Sequence, residues 1–232
     1  MHYSTSERKK VVQMALAKKT EELVEIRPVD VKKVAVRIVG DTPLIVHAWS
    51  EKAKRMMLEA QMKTTKTKAK EARDPFDDFI NSLYWLTEVP ASDPVSFEQA
   101  IQNGAKFRFP VTAIKQAANS AAYRLGWVKN QMSLRGSYFL KTEWGDMAEI
   151  KGTVPEMRED MVRIGMGSAD LRYRGEFKNW YMDLILEYNA NGDMTLEQIL
   201  NCINAGGYSV GIGEWRPEKD GDFGRFHIEA NA

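Results

Sequence analysis

A glycine-rich segment near the end of the 232-residue chain carries the residue types best suited to holding a ligand. Four glycines at positions 206, 207, 211 and 213 precede Trp215 and Arg216, and Gly221 and Gly224 follow. Glycine lets a backbone approach a ligand closely and adopt positive φ, while tryptophan and arginine supply a flat stacking face and a charge. The segment therefore predicts a loop that lies against a phosphodiester backbone. The alternative is a β-hairpin with flexible turns.

Two more clusters combine charge with a ring or with a run of cations. Arg172, Tyr173 and Arg174 interleave two guanidinium groups with an aromatic ring. A run without any apolar face follows the first helical stretch, and its cations are Lys63, Lys66, Lys68, Lys70 and Arg73. Stacking combined with phosphate neutralisation holds single strands without reading their sequence. The clusters predict a surface for single-stranded nucleic acid, with a merely solvated face as the alternative for each cluster alone.

Secondary candidates for the same surface are Lys115 and Arg135. Both are isolated cations that lie between the larger clusters in the chain.

His47 is the one candidate for catalysis. It follows an apolar run, and a histidine of near-neutral pKa can deprotonate a ribose 2′-hydroxyl. No second acid–base residue is evident, so the alternative is a histidine at a strand end, hydrogen-bonded to nearby backbone. The sequence therefore predicts a non-catalytic binding protein, with a metal-independent endoribonuclease using His47 as the alternative.

The sequence indicates neither a metal site nor a cofactor. No Cys/His set has zinc spacing, and no phosphate-binding loop of a known nucleotide-binding pattern occurs. Asp74-Pro75 predicts a helix start, with an N-cap followed by proline at the first helical position. Asp77 and Asp78 fall in the first turn of this helix, where acidic residues ordinarily complement the helix dipole.

Composition places the protein among cytoplasmic globular chains. The formal net charge is +1, so nucleic-acid binding has to come from a local patch. Cys202 is the single cysteine, which excludes an internal disulfide and fits a reducing compartment. No apolar run approaches the roughly 20 residues of a membrane span, and the short apolar stretch near the N-terminus is interrupted by charges, so neither a membrane segment nor a signal peptide is expected.

Hydrophobic periodicity predicts an α+β fold. Residues 30–232 are expected to form one domain, with a helical and basic insertion at about 50–88, and residues 155–167 are expected to be irregular. Without the insertion the order approximates β-α-β-β-α-β, the ferredoxin-like split β-α-β arrangement with an antiparallel sheet. Strands are predicted at residues 33–39, 107–110, 137–144, 149–152, 179–188, 208–212 and 225–229. Helices are predicted at 112–125, capped by Thr112, and at 195–207, where Thr195-Leu196-Glu197-Gln198 is a capping box.

Residues 1–29 are predicted to be an N-terminal arm. The arm is too polar for a core, yet it holds a short apolar stretch at Val11, Val12, Met14 and Leu16. Such a stretch suits docking on a neighbouring copy, and a head-to-tail contact repeats into rings or filaments. The arm therefore predicts a homo-oligomer or filament, with a disordered tail as the alternative.

An apolar stripe at helical spacing is formed by Phe76, Phe79, Ile80 and Leu83. It is predicted to be core or an intersubunit face. As an interface it would suit a third alternative, a phage structural or host-interaction protein without nucleic acid.

Three segments resemble the RAMP superfamily, the ferredoxin-like RNA-binding proteins that form the backbone of CRISPR effector complexes. They are the opening strand with Gly40-Asp41-Thr42-Pro43-Leu44, the helix start in residues 109–117, and the glycine-rich segment from Gly211 to Gly224. The resemblance implies a single-strand binder whose subunits stack side by side, and it does not distinguish DNA from RNA.

The wider pattern, including Ala169 to Arg174 and Gly213 to Glu218, is also similar to a group of proteins common in phages and prophages. That resemblance implies a phage- or prophage-encoded protein and brings no activity with it.

Overall fold

The computed structural model describes residues 28–49, 51–62, 73–164 and 167–229. The arm, apart from Pro28 and Val29, and the four lysines of the basic run lie outside these residues. The strands are β1 (Val31–Gly40), β2 (Leu44–Val46), β3 (Phe107–Pro110), β4 (Tyr138–Lys141), β5 (Met147–Gly152), β6 (Glu156–Ile164), β7 (Ser168–Phe177), β8 (Trp180–Asn189) and β9 (Phe226–Ile228). The helices are α1 (Glu51–Gln61), α2 (Pro75–Ser82), α3 (Pro94–Gln102), α4 (Val111–Arg124), α5 (Gln131–Arg135) and α6 (Leu196–Ser209), with a 3₁₀ turn at Pro217–Lys219.

The larger sheet is centred on β8. One edge of β8 pairs with β1 from Val31↔Asn189 to Val39↔Tyr181, and β9 extends the sheet beyond β1. The other edge of β8 is shared by β4 and β5, and β3 pairs with β5. All these pairings are antiparallel, which confirms the predicted α+β class with an antiparallel sheet.

Helices α4 and α6 pack together through residues without bulky side chains. Ala117 and Ala118 are at most 1% exposed. A side chain at Gly206 would collide with the α4 backbone at these alanines, and one at Gly207 would collide with the carbonyl of Phe226. The two glycines therefore allow close packing.

The predictions that α6 ends at these glycines and that residues 208–212 form a strand are wrong. The helix continues to Ser209 and then turns at Gly211, which has a φ of 68°. Local sequence rules place glycine at the end of a helix. Here the two glycines lie inside α6, because a side chain at either position would collide with α4 or with Phe226. The Thr195 capping box at the start of α6 is confirmed.

The face of the sheet on the far side from α4 and α6 carries paired charges. Asp183 accepts hydrogen bonds from Arg37 Nε at 2.7 Å and from Lys151 Nζ at 3.0 Å. Glu187 lies between two lysines in the same way, and their hydrogen bonds lower its pKa. The carboxylates on this face are therefore paired with lysine and arginine side chains.

The smaller sheet has the order β2-β7-β6 and contains a long hairpin. Strands β6 and β7 pair from Glu156↔Glu176 to Ile164↔Ser168. Residues 155–167 were predicted to be irregular, and this is wrong for residues 156–164, which form β6. The strand was missed because it lacks a clean apolar alternation. Its stability comes from the ladder and from ion pairs such as that of Arg158 with Asp160 at 2.8 Å.

Helix α3 was not predicted, and it lies beyond the expected insertion at about 50–88. Asp74 caps α2 by accepting from Phe76 N at 2.8 Å, as the Asp-Pro pair indicates. Asp93 caps α3 before Pro94 in the same manner, so the signal for α3 was present in the sequence. In contrast, α4 begins at Val111 after Pro110, and Thr112 does not cap it.

The apolar stripe of α2 belongs to the core. Phe79 and Ile80 are each 1% exposed and Leu83 is 3% exposed. The stripe is therefore not available as an intersubunit face.

Within the described ranges, no helix combines the length and the apolar composition that crossing a membrane requires.

Candidate nucleic-acid interface

The glycine-rich loop, residues 210–218, is docked against β2. Glu214 N donates to the carbonyl of Ile45 at 2.9 Å, and Ile212 N donates to the carbonyl of Gly224 at 2.9 Å. Gly213 has a φ of 79°, and a side chain there would collide with the Ile45 carbonyl. The alternative of a β-hairpin with flexible turns is therefore wrong, since the loop is held by backbone hydrogen bonds and close approach.

One side of the loop borders a cleft of ≈ 370 Å³, here called the α4 cleft. Its lining is mostly small or polar and consists of Ala113, Gln116, Ala117, Asn119 and Ser120 of α4, Gln131 and Arg135 of α5, and Val210 to Gly213, Arg216 and Glu218 of the loop. The structure thus brings together two of the predicted residues, Arg135 and Arg216.

Arg216 is fixed by its neighbours. Its Nη1 donates to the carbonyl of Gly213 at 3.0 Å, and its Nη2 lies 2.9 Å from a carboxylate oxygen of Glu218. Arg124 also pairs with Glu218 at 2.7 Å. The hydrogen bond from Arg216 lowers the pKa of Glu218, so this carboxylate stays charged and compensates Arg216. Arg135 is exposed and has no ion pair within the described part of the chain.

Trp215 adopts a left-handed backbone, with a φ of 51°. Its carbonyl accepts from Phe223 N at 3.1 Å, and the tight approach of Gly221 leaves no space for a side chain there. The residue is 38% exposed and lines neither cleft.

A second cleft of ≈ 460 Å³, here called the His47 cleft, lies between the end of β2, helices α1 and α2, and strand β7. Its lining contains four of the residues singled out from the sequence, which are His47, Arg73, Arg172 and Tyr173.

The cations of the His47 cleft are paired with acids. Arg73 pairs with Asp78 and, at 2.8 Å, with Asp170, and its guanidinium carbon lies 6.0 Å from the centre of the Tyr173 ring. Arg172 Nε lies 2.9 Å from the other oxygen of Asp170. These carboxylates hold the guanidinium groups in place at the cleft wall.

Glu214 belongs to the loop that borders the α4 cleft, and it contacts a residue of the His47 cleft. Its carboxylate lies 3.7 Å from His47 Nδ1 and 3.6 Å from Arg174 Nη2. The interaction with His47, followed by the charges of Arg174 and Arg216, lowers the pKa of Glu214. Glu214 was not among the candidate binding residues in the sequence, although its neighbours Gly213 and Trp215 were.

Arg174 is 6% exposed and also pairs with Asp160 at 3.2 Å. Its position is inside the protein, so it can orient Glu214 but has little surface for a ligand.

Lys115 lies apart from both clefts. Its Nζ donates to the carbonyl of Tyr138 at 2.7 Å and lies 4.5 Å from the centre of the Phe139 ring. Burial lowers its pKa. It lines a separate groove beside β4.

Asn119 is a second residue that sequence reasoning missed. It is 5% exposed, and its Oδ1 has no hydrogen-bond partner in the structure. The signal was an asparagine among alanines on the buried face of α4.

Within the described residues, no group of three or more His, Cys, Asp and Glu side chains is arranged to hold a metal ion.

Comparison with known proteins finds similar chains among the solved structures. No protein-family model matches the chain, and no curated protein matches it. A chain in the cryo-EM structure of the Type III-B Cmr-beta bound to cognate target RNA is similar to it, with a TM-score of 0.46 and 12% identity. The superposition covers 98% of this chain and 66% of that chain, so the protein spans slightly less than two thirds of the neighbour's length.

Proposed function

We propose that this protein binds single-stranded nucleic acid without cleaving it, along a track formed by the two clefts and the loop between them. The observation that carries the proposal is the position of the glycine-rich loop. Gly213 and Arg216 line the α4 cleft, and the contact of Glu214 with His47 places the same loop against the His47 cleft. One strand following the loop would meet both groups of cations.

The side chains on this track match the needs of a single strand. Arg135 and Arg172 offer guanidinium groups for phosphates, and the rings of Tyr173 and Trp215 offer faces on which bases can stack. Because Arg172 is already oriented by Asp170, it loses little conformational freedom on binding. Arg174 is a positioning residue in this scheme.

The basic run remains part of the proposal. Its lysines follow α1, whose Ala53 and Met57 line the His47 cleft, and its last cation, Arg73, lines the same cleft. Both flanks of the run thus belong to this cleft. In this proposal Lys63, Lys66, Lys68 and Lys70 form a clamp over a strand that is bound there.

We further infer a ferredoxin-like core of the RAMP kind. The strand order β9-β1-β8-β4 is antiparallel throughout. Helix α4 lies between β1 and β4 in the chain, and β8 separates these two strands in the sheet. Helix α6 lies between β8 and β9, which β1 separates. Two such split β-α-β units support the inference. A phage or prophage origin stays a prediction.

Binding is tested by fluorescence anisotropy with labelled single-stranded DNA and RNA. We expect Arg135→Gln with Arg172→Gln to weaken binding by roughly tenfold or more at moderate salt, and to reduce the slope of log affinity against log salt by about 2. Neutralising the lysine run should flatten the salt dependence further.

The matched control is Lys32→Gln with Lys106→Gln, which removes the same charge from two exposed lysines outside both clefts. Absence of binding to either nucleic acid at low salt, or equal losses in the control and the cleft variants, would contradict the proposal.

The second candidate function is a metal-independent endoribonuclease. The proximity of Glu214 to His47 favours it, because a carboxylate that orients an imidazole is a recurrent catalytic arrangement. Incubation with structured RNA in EDTA discriminates the two functions. A protein that only binds leaves the RNA intact, whereas cleavage that disappears in His47→Gln would identify the enzyme.

We also propose that copies of the chain assemble side by side through residues 1–29. The apolar stretch in the sequence of the arm supports this proposal. A strand longer than one track would then be shared by several copies.

A further inference from the structure

We propose that the groove beside β4 receives residues 11–16 from the arm of a second copy of the chain, added as an extra strand to the free edge of β4. The inference rests on the proposed assembly through residues 1–29, and it names the surface on which the arm docks.

The groove follows one edge of β4. Its volume is ≈ 360 Å³, and it lies between β4, the first turns of α4 and the turn that joins β4 to β5. Val111, Phe139 and Leu140 give it an apolar lining, and Phe139 is 52% exposed. An apolar groove along a strand edge suits an added strand, because the main chain supplies hydrogen bonds and the groove accepts alternate side chains.

The direction of the backbone groups on β4 follows from the ladder between β8 and β1. In an antiparallel pair, every second residue directs its N–H and C=O to one neighbouring strand. Ala190, directly after β8, donates its N–H to the carbonyl of Asp30 at 2.7 Å, so the residues two and four positions earlier also bond to β1. Their partners on β4 are Tyr138 and Leu140, which therefore turn their N–H and C=O groups away from β8.

One of these outward carbonyls already has a partner. The carbonyl of Tyr138 accepts from Lys115 Nζ at 2.7 Å, on the edge that lies away from β8. Within the described part of the chain, no group hydrogen-bonds to the outward N–H and C=O of Leu140. An N–H and C=O pair that points outward from a strand edge is a template for pairing with another strand.

The sequence of the arm fits this template. Val12, Met14 and Leu16 occupy every second position, and the polar Gln13 stands between two of them. Successive side chains of a strand point to opposite faces. Added to β4 as a strand, the arm would present these three apolar side chains on one face.

The position at which the arm joins the described fold supports the same occupant. The carbonyl of Pro28 accepts from Asn191 Nδ2 at 3.2 Å, and β1 begins opposite Asn189. Tyr138, the first residue of β4, pairs with Tyr188 at the same end of the sheet. An arm strand antiparallel to β4 would therefore run toward the end of the sheet at which β1 begins.

The length of the chain before β1 favours a second copy over the arm's own fold. Residues 17–27 can span about 36–40 Å when extended, whereas β4 and β1 are separated by two strand spacings, about 10 Å. The connection is thus long enough to reach a neighbour. Such an exchange is a head-to-tail contact, which repeats into a filament or closes into a ring.

Cross-linking between full-length single-cysteine variants tests the docking. Met14→Cys chains are mixed with size-tagged Thr112→Cys chains, because Thr112 is an exposed residue of the groove wall. Cys202 is 1% exposed and does not compete for a short bismaleimide cross-linker. We expect the mixed cross-link to form at least about tenfold faster than with Val95→Cys, a control on α3 that is 64% exposed.

A pair of arm variants tests the alternation. Met14→Asp places a charge against the apolar groove and should reduce the mass measured by light scattering to that of one chain. Gln13→Asp adds the same charge on the opposite face and should leave the mass unchanged. Circular dichroism confirms that every variant is folded.

The outcomes separate the groove from the assembly. Assembly without a mixed cross-link above the control, or equal effects of Met14→Asp and Gln13→Asp, overturns the groove and leaves the assembly standing. A cross-link that forms only within a single chain carrying both Met14→Cys and Thr112→Cys shows that the arm docks on its own fold, and it overturns the second copy as the occupant. A mass of one chain under all conditions, with no cross-link, overturns both proposals but not nucleic-acid binding, which anisotropy measures separately.

Discussion

Glu214 is the residue on which the proposed track depends most, because it holds the glycine-rich loop against the His47 cleft. Its backbone N–H bonds to β2 and its carboxylate interacts with His47 and Arg174. A single side chain thus connects three separate parts of the chain. Its half-buried position makes the contact more sensitive to charge than a surface ion pair would be.

The depressed pKa of Glu214 predicts how stability depends on pH. The folded-state pKa lies below the ordinary value of 4.5, so the ionised carboxylate stabilises the fold above that value. The stabilisation is lost as the pH falls from 4.5 through the lower folded-state pKa. We expect the thermal midpoint of the wild type to fall more steeply in this window than that of Glu214→Gln.

The control for this experiment is Glu143→Gln, which removes an exposed carboxylate from the turn between β4 and β5. Parallel curves for the wild type and Glu214→Gln would show that the carboxylate contributes no stability.

At the scale of elements, the packing of α4 on α6 sets the position of the loop that follows α6. We expect Gly206→Ala to lower the free energy of unfolding by about 1–3 kcal/mol, because the new methyl group would meet the backbone of Ala117 and Ala118. Urea denaturation measures the loss.

The matched control is Gly136→Ala at the end of α5, where a side chain meets no atom within 4 Å and φ is −91°. It should change stability by no more than about 0.5 kcal/mol. A comparable loss in both variants would contradict the close-packing account.

The elements show which parts of the structure local sequence rules can predict. Alternation predicted β1 and β8, and the Asp-Pro signal predicted the start of α2, because each depends on residues close in the chain. The course of residues 206–212 could not be predicted in this way, because it depends on contact with α4, about 90 residues earlier. Strand β6 was missed for a related reason, since its charges are paired across the hairpin.

The same distinction applies to the candidate site. Arg73, Arg172 and Tyr173 were found from their residue types, and the structure places them in one cleft. Asn119 and Glu214 were missed because their importance comes from burial and from partners distant in sequence. Residue type indicates charge and stacking, whereas an unpaired buried atom is visible only once the chain is folded.

At the scale of the whole molecule, assembly is the main open prediction. We expect light scattering to show a mass larger than one chain, increasing further with long single-stranded DNA, because each copy binds only a short length of strand. Deleting residues 1–29 should reduce the mass to that of one chain. A strict monomer under all conditions, unchanged by the deletion, would show that the arm does not mediate assembly.

The sharing of Glu218 between Arg216 and Arg124 has a consequence for how binding responds to ionic strength. One carboxylate faces two guanidinium groups, so this end of the track keeps a net positive charge. Phosphate contacts displace counterions, so affinity for any strand falls as salt rises. Stacking of bases on the rings of Tyr173 and Trp215 displaces none, so its contribution is the same at every salt concentration. The protein should therefore retain a weak affinity that depends on stacking after high salt has removed most of the affinity that depends on phosphate contacts.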